Sequence, residues 1–141
     1  MTIDILDGSN YFKGLLLLIR KDHKITETES ELLKKIGRSL GLERRFCEEA
    51  IRDILENSYI SETPPKFSSD ELAKRFVRDG LRLAMSDNEL HALEEEWLSE
   101  VATANGLPSG WFADHKRAAL DGTIGERFEA FDLRVQYVGQ A

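Results

Sequence analysis

Two acidic pairs are the groups of this sequence best placed to do chemistry: Asp22 with Glu29, and Asp87 with Glu94, seven residues apart in each case. Hard cations such as calcium and magnesium take oxygen ligands. Asp87, Asn88, Glu89 and Glu94 could supply part of such a shell, with Asp22 and Glu29 as the matching acids of the first half. A structural reading competes. A glutamate in the first turn of a helix is stabilised by the macrodipole, and aspartates favour turns. This accounts for Glu29 fully. An aspartate just past a helix C-terminus, however, meets the negative end of the dipole and needs a compensating donor, a cation or a neighbouring N-terminus. Arg20, Lys21 and Lys24 meet that need at the first junction, whereas no Lys or Arg occurs from Leu83 to His115. Two carboxylates about 5 Å apart repel by roughly 3 kcal/mol at an effective dielectric of about 20. A calcium or magnesium site is therefore expected to be stronger at Asp87 and Glu94, although no full EF-hand spacing is present.

Other reactive residue types are thinly spread. His91 lies four residues after Asp87 and three before Glu94, reachable geometry for a transition metal, but a lone histidine at a helix start reads as a surface or capping residue. His23 and His115 follow Asp22 and Asp114 without zinc-protease or phosphohydrolase spacing. Cys47, the only cysteine, reads as a buried structural thiol and excludes both an internal disulfide and a four-cysteine zinc site. Trp97 and Trp111 read as core anchors. No glycine-rich phosphate loop, serine elbow or paired-carboxylate site can be assembled, so the sequence points to no enzyme and requires no cofactor.

The elements that must position these residues are helices. Tyr11, Phe12, Leu15, Leu16, Leu18 and Ile19, with Leu17 between them, predict a helix apolar nearly all round and hence buried. Thr26 to Glu29 reads as a capping box opening a second helix, with Leu32, Leu33, Ile36 and Leu40 inward and Gly41 as the stop. Phe46, Ala50, Ile51, Ile54 and Leu55 predict a third, which fades before Pro64 and Pro65. Another capping box is expected at Ser68 to Glu71, ahead of Leu72, Phe76, Val77, Leu81, Leu83 and Ala84. Leu90, Leu93, Trp97, Leu98 and Val101 then share one stripe closed by Gly106, and Pro108 and Ser109 introduce a helix with Trp111, Phe112 and Ala119. In the tail, Ile124 to Phe131 suits a helix and Leu133, Val135 and Tyr137 alternate as a strand would; a strap is the expectation.

The order of events repeats. Asp22 and Asp87 are 65 residues apart, and the same offset carries Ile25 to Leu90, Glu29 to Glu94, Leu33 to Leu98, Ile36 to Val101, Gly41 to Gly106, Leu42 to Leu107 and Phe46 to Trp111. A register that never slips implies duplication. The expected fold is all-α: two duplicated three-helix units, about 9–58 and 68–121, joined by a linker over 59–67 and followed by a C-terminal strap over 122–141. Together they form a compact helical bundle with pseudo-two-fold symmetry. Phe46 and Trp111 are expected to be buried at matching places.

Asp22 to Glu29 and Asp87 to Glu94, each followed about a dozen residues on by Gly-Leu, resemble the D-G-x-[IV]-x-x-x-E signature of TerB-like domains. These are found in tellurite-resistance proteins and at the start of a membrane-anchored J-domain co-chaperone. The resemblance spans roughly residues 11 to 112. It implies an all-helical fold, a link to bacterial stress or toxic-oxyanion response, and cation or partner binding by the junction acids, with no enzymatic activity. His23 and Asn88 stand at the signature glycine, and of the two asparagine tolerates a left-handed turn more readily.

At 141 residues, 41% hydrophobic and 32% charged, the chain can bury one core without disulfides. Its longest apolar run, Leu15 to Ile19, is far short of the roughly 20 residues of a membrane span, and no signal-peptide pattern opens it, so a cytoplasmic location is expected. Membrane association would be peripheral, through a partner. The net charge of −7 is concentrated at Asp87, Glu89, Glu94, Glu95, Glu96, Glu100 and Asp114. Such a field repels phosphate backbones and attracts cations or basic partners. Nucleic acid is thereby disfavoured. The expected function is a protein-binding module whose acidic surface, Glu95, Glu96 and Glu100, meets its partner; divalent-cation sensing by the junction acids is the alternative. The sequence leaves the oligomeric state open.

Overall fold

Asp4 starts the first helix. Its carboxylate accepts the Asp7 N–H at 2.8 Å, so α1 (Ile5–Arg20) begins directly behind a short strand, β1 (Thr2–Asp4). A computed structural model describes residues 1–21, 25–57 and 59–136. Over these, α2 (Glu27–Ser39) and α3 (Arg44–Glu56) are followed by α4 (Asp70–Ala84), a 3-10 turn at Met85–Asp87, α5 (Ala92–Ala104) and α6 (Ser109–Leu120). A second 3-10 turn at Glu129–Asp132 leads into β2 (Arg134–Gln136). The protein is mainly helical. Among the described residues the one sheet is the parallel pair of β1 and β2, with Ile3 opposite Val135.

The apolar run of α1 is enclosed as its pattern predicts: Tyr11, Phe12 and every residue from Gly14 to Ile19 are buried. Burial of each such Leu contributes about 1.5–3 kcal/mol, which makes this helix the natural centre of the core. Two glycines let its neighbours come close. A Cβ at Gly14 would meet the Phe76 ring at 2.7 Å, and one at Gly37 would run into Cys47 Sγ. The Trp97 indole N–H donates to Gly14 O at 3.3 Å, joining α5 to α1.

Helix ends follow the predicted chemistry closely. Thr26 and Glu29 exchange both bonds of a capping box. Gly41 and Gly106 close α2 and α5 with φ of 78° and 73°, and the amides of Leu42 and Leu107 reach back to Gly37 O and Ala102 O at 2.9 Å. At α4 the cap is Ser69 instead, its hydroxyl accepting the Leu72 N–H, while Ser68 is drawn to the buried Asp7 carboxylate of α1. Glu71 therefore falls at the second helical position and closes no box there.

Other expectations are corrected. Phe46 is 54% exposed, and Leu55 and Leu93 also face outward. The close contact of Gly37 with Cys47 sets the rotation of α3, turning Cys47, Ile51 and Ile54 inward; Phe46, about 100° away from its neighbour around the helix, is left outside. Trp111 is half-buried. In the tail, Ile124 to Phe131 does not form the helix that its pattern allows. Side chains of α4 take the backbone groups that such a helix would use: Arg82 bonds Ile124 O and Gly125 O, and Asp79 accepts the Glu129 and Ala130 amides. Val135 does lie in a strand, and Tyr137 lies outside the described residues.

Candidate functional site

At the second junction the chain leaves the 3-10 turn through Asn88, whose φ of 66° is the left-handed conformation anticipated for that position. Asp87 Oδ1 accepts the Glu89 N–H at 3.0 Å. His91 lies at the N-cap of α5, with Nε2 at 3.6 Å from Asp87 Oδ2 and Nδ1 at 3.9 Å from Glu89 Oε1. Glu94 is buried, and its Oε1 accepts the His91 N–H at 3.2 Å, the counterpart of the bond from Thr26 N–H to Glu29 at the start of α2. The junction glutamates thus serve helix N-termini, where the dipole favours a negative charge. Asp87, Asn88 and Glu89 are exposed, whereas Glu94 is buried. Asp22 and His23 lie outside the described residues. Among the described residues, no three His, Cys, Asp or Glu side chains assemble into a group that could hold a metal ion.

The acidic surface is carried by α5. Glu96 and Glu100 are exposed, and Glu95 forms a 2.7 Å ion pair with Lys116 of α6. Together with Ala92, Ser99 and Phe112 they line a shallow cavity of about 560 Å³. A larger groove, about 720 Å³, runs between α1 and α3 over Phe12, Leu16, Leu42 and Ile54, with Phe46 at its edge.

The residues that sequence reasoning missed form a buried ionic network. Asp79 is fully enclosed and accepts four hydrogen bonds: from Tyr11 Oη at 2.6 Å, Arg82 Nη1 at 3.0 Å, Glu129 N at 2.7 Å and Ala130 N at 2.8 Å. Glu129 receives a forked pair from Arg78, at 2.6 and 2.7 Å, and a third bond from Arg82 at 2.8 Å. Burial raises the Asp79 carboxyl above its ordinary range against the pull of its donors, and burial together with Asp79 raises the Tyr11 phenol well above its own. Burial also opposes ionisation of Glu129, but its two arginines outweigh it and hold that carboxyl low. The signal was available, since Asp79 lies three residues after Phe76 and four before Leu83, on the inward face of α4. Every Asp79 oxygen has donors, so the network ties α1, α4 and the tail together and has the character of a structural clamp.

The remaining candidates also have structural settings. The Cys47 thiol is buried, and burial followed by Glu48 pushes its pKa up, the opposite of activation. Trp97 is a core residue, while Trp111 stacks on His115 with ring centres 4.0 Å apart, and His115 Nδ1 lies 2.8 Å from Trp111 O. Among the described residues no helix is long and apolar enough to cross a membrane. Compared with known proteins, the chain matches no family model, no curated protein and no solved structure.

Proposed function

We propose that this protein is a TerB-like, non-enzymatic interaction module that binds a basic protein partner through the acidic face of α5. The observation that carries this reading is the placement of Glu96 and Glu100, exposed along one helix beside the uncovered Leu93 and the cavity over Phe112. Carboxylates around a small apolar patch attract a positive partner at a distance and offer it an anchor on contact. Glu95 is the least available of the three, because Lys116 already neutralises it.

The duplicated architecture belongs to the same reading. The 65-residue offset relates Glu27 to Ala92 and Ser39 to Ala104, the bounds of α2 and α5, and it relates Arg44 to Ser109 at the starts of α3 and α6. It also relates the two glycine closures, bond for bond. Such a pair of units supplies a rigid scaffold, with the stress-response setting of TerB-like domains as its proposed context.

The test is capture from cell extract by wild type and by Glu96→Lys/Glu100→Lys, with calcium and with chelator. Retention of basic proteins by wild type alone, weakened by salt and indifferent to calcium, is the expected result. Equal capture by the charge-reversed protein would reject the α5 face. Partners that change with calcium would favour cation sensing at the Asp87 and Glu94 junction, with Asn88 and Glu89, instead.

A further inference from the structure

The exposed side of α3 carries a charge pattern of alternating sign. Arg45, Glu49, Arg52 and Glu56 follow one another at steps of four, three and four residues, which places them in one row along the helix, and all four are exposed. Beside this row lie Phe46, 54% exposed, and the small Ala50, both at the edge of the groove between α1 and α3. Within the helix the pattern is poorly arranged. Its first turn has no acid and its last turn no base, with Arg45 near the positive end of the dipole and Glu56 near the negative end. The 3.1 Å pair of Arg45 with Glu49 has the base N-terminal to the acid, the weaker order.

We propose that α3 pairs with α3 of a second copy, antiparallel about a two-fold axis near Ala50 and Ile51, with each Phe46 covering the groove of the other copy. Alternation of sign selects the orientation. An antiparallel neighbour sets Arg45 opposite Glu56 and Glu49 opposite Arg52, and the symmetry repeats both contacts, giving four pairs of opposite charge. A parallel neighbour would set arginine on arginine and glutamate on glutamate. Antiparallel packing also brings the N-terminal end of each helix to the C-terminal end of the other, so the charges that run against each dipole find opposite charges across the interface. Ala50 at the centre lets the axes approach, and Phe46 reaches the apolar wall formed by Phe12, Ile54 and Ile60. Asp53 enters the same face, and Lys13 across the groove is the cation available to meet it. This surface is separate from the acidic face of α5.

The experiment is sedimentation equilibrium of the full chain over a wide concentration range. Wild type is expected to dimerise. Phe46→Glu should weaken association about a hundredfold while unfolding at the wild-type temperature when both are dilute, because the ring contributes little to the monomer core. Arg45→Glu/Arg52→Glu and Glu49→Arg/Glu56→Arg should each be monomeric alone and form a one-to-one heterodimer when mixed, since an all-acidic row then meets an all-basic one. A wild type that stays monomeric at every concentration would overturn the proposal, including the case in which α3 binds only a foreign protein. So would a dimer indifferent to Phe46→Glu, or charge variants that fail to recombine.

Discussion

Replacing Asp79 tests the buried clamp directly. Asp79→Ala removes the acceptor of four donors and leaves the Glu129 and Ala130 amides and the Tyr11 hydroxyl without it, although Arg82 keeps its bond to Glu129. Each buried donor deprived of its partner costs about 1–3 kcal/mol, but relaxation and water entry reduce the sum, and breaking a buried charge network costs about 3–5 kcal/mol in all. That is a large part of the roughly 5–15 kcal/mol expected for a domain. Asp79→Asn gives the sharper comparison. Its single carbonyl can serve Glu129 N–H or Ala130 N–H, and its NH₂ must then face the other amide, donor against donor, at a cost of about 1–3 kcal/mol. Urea unfolding of wild type, Asp79→Asn and Asp79→Ala should therefore give falling midpoints in that order. At about 3 °C per kcal/mol, the alanine variant should melt on the order of 10 °C lower. Hydrogen exchange should localise the change to the amides of Glu129 and Ala130. An alanine variant within about 0.5 kcal/mol of wild type would refute the clamp, and so would unchanged protection of those two amides.

Two further outcomes follow from the same packing. Glu129→Gln should destabilise the protein by about 1–3 kcal/mol at neutral pH, by weakening its bonds to Arg78 and Arg82. Because the folded carboxyl is held below its ordinary value of 4.5, Glu129 contributes stability above that pH and loses it as pH falls through the depressed folded value. The stability difference between wild type and variant should therefore shrink as acid is added. Asp79, raised in the fold, acts with opposite sign in both proteins and largely cancels in that difference; a difference independent of pH would disprove the assignment. Gly37→Ala should cost about 1–3 kcal/mol through overpacking against Cys47 and Phe12, despite a helix-propensity gain of up to about 1 kcal/mol. Adding Cys47→Ala should recover part of that loss in urea unfolding, and a stabilised Gly37→Ala protein would show that the contact is not tight.

What could be read from the residues in order was chemistry that acts over a few positions. The Thr26 and Glu29 box, the Gly41 and Gly106 closures, the left-handed Asn88 and the apolar run of α1 each depend on groups within about one or two helical turns. The junction acids were legible as a motif, but their division of labour was not. Glu94 turns in to serve the α5 N-terminus while Asp87 and Glu89 stay outside, a choice made by how the helices seat.

Long-range contacts decided the rest. Helical periodicity alone identified an apolar side of α3 but not its rotation, which the Gly37 and Cys47 contact sets by excluding any larger pair, leaving Phe46 outside. The tail carried patterns for both helix and strand, and neither pattern contains the side chains that settle the matter. Asp79 and Arg82 satisfy its backbone from positions 42 to 51 residues away, and β1 pairs with it across nearly the whole chain. A backbone hydrogen bond can be met inside its own helix or by a distant partner at similar energy, so only the packed structure determines which partner is present.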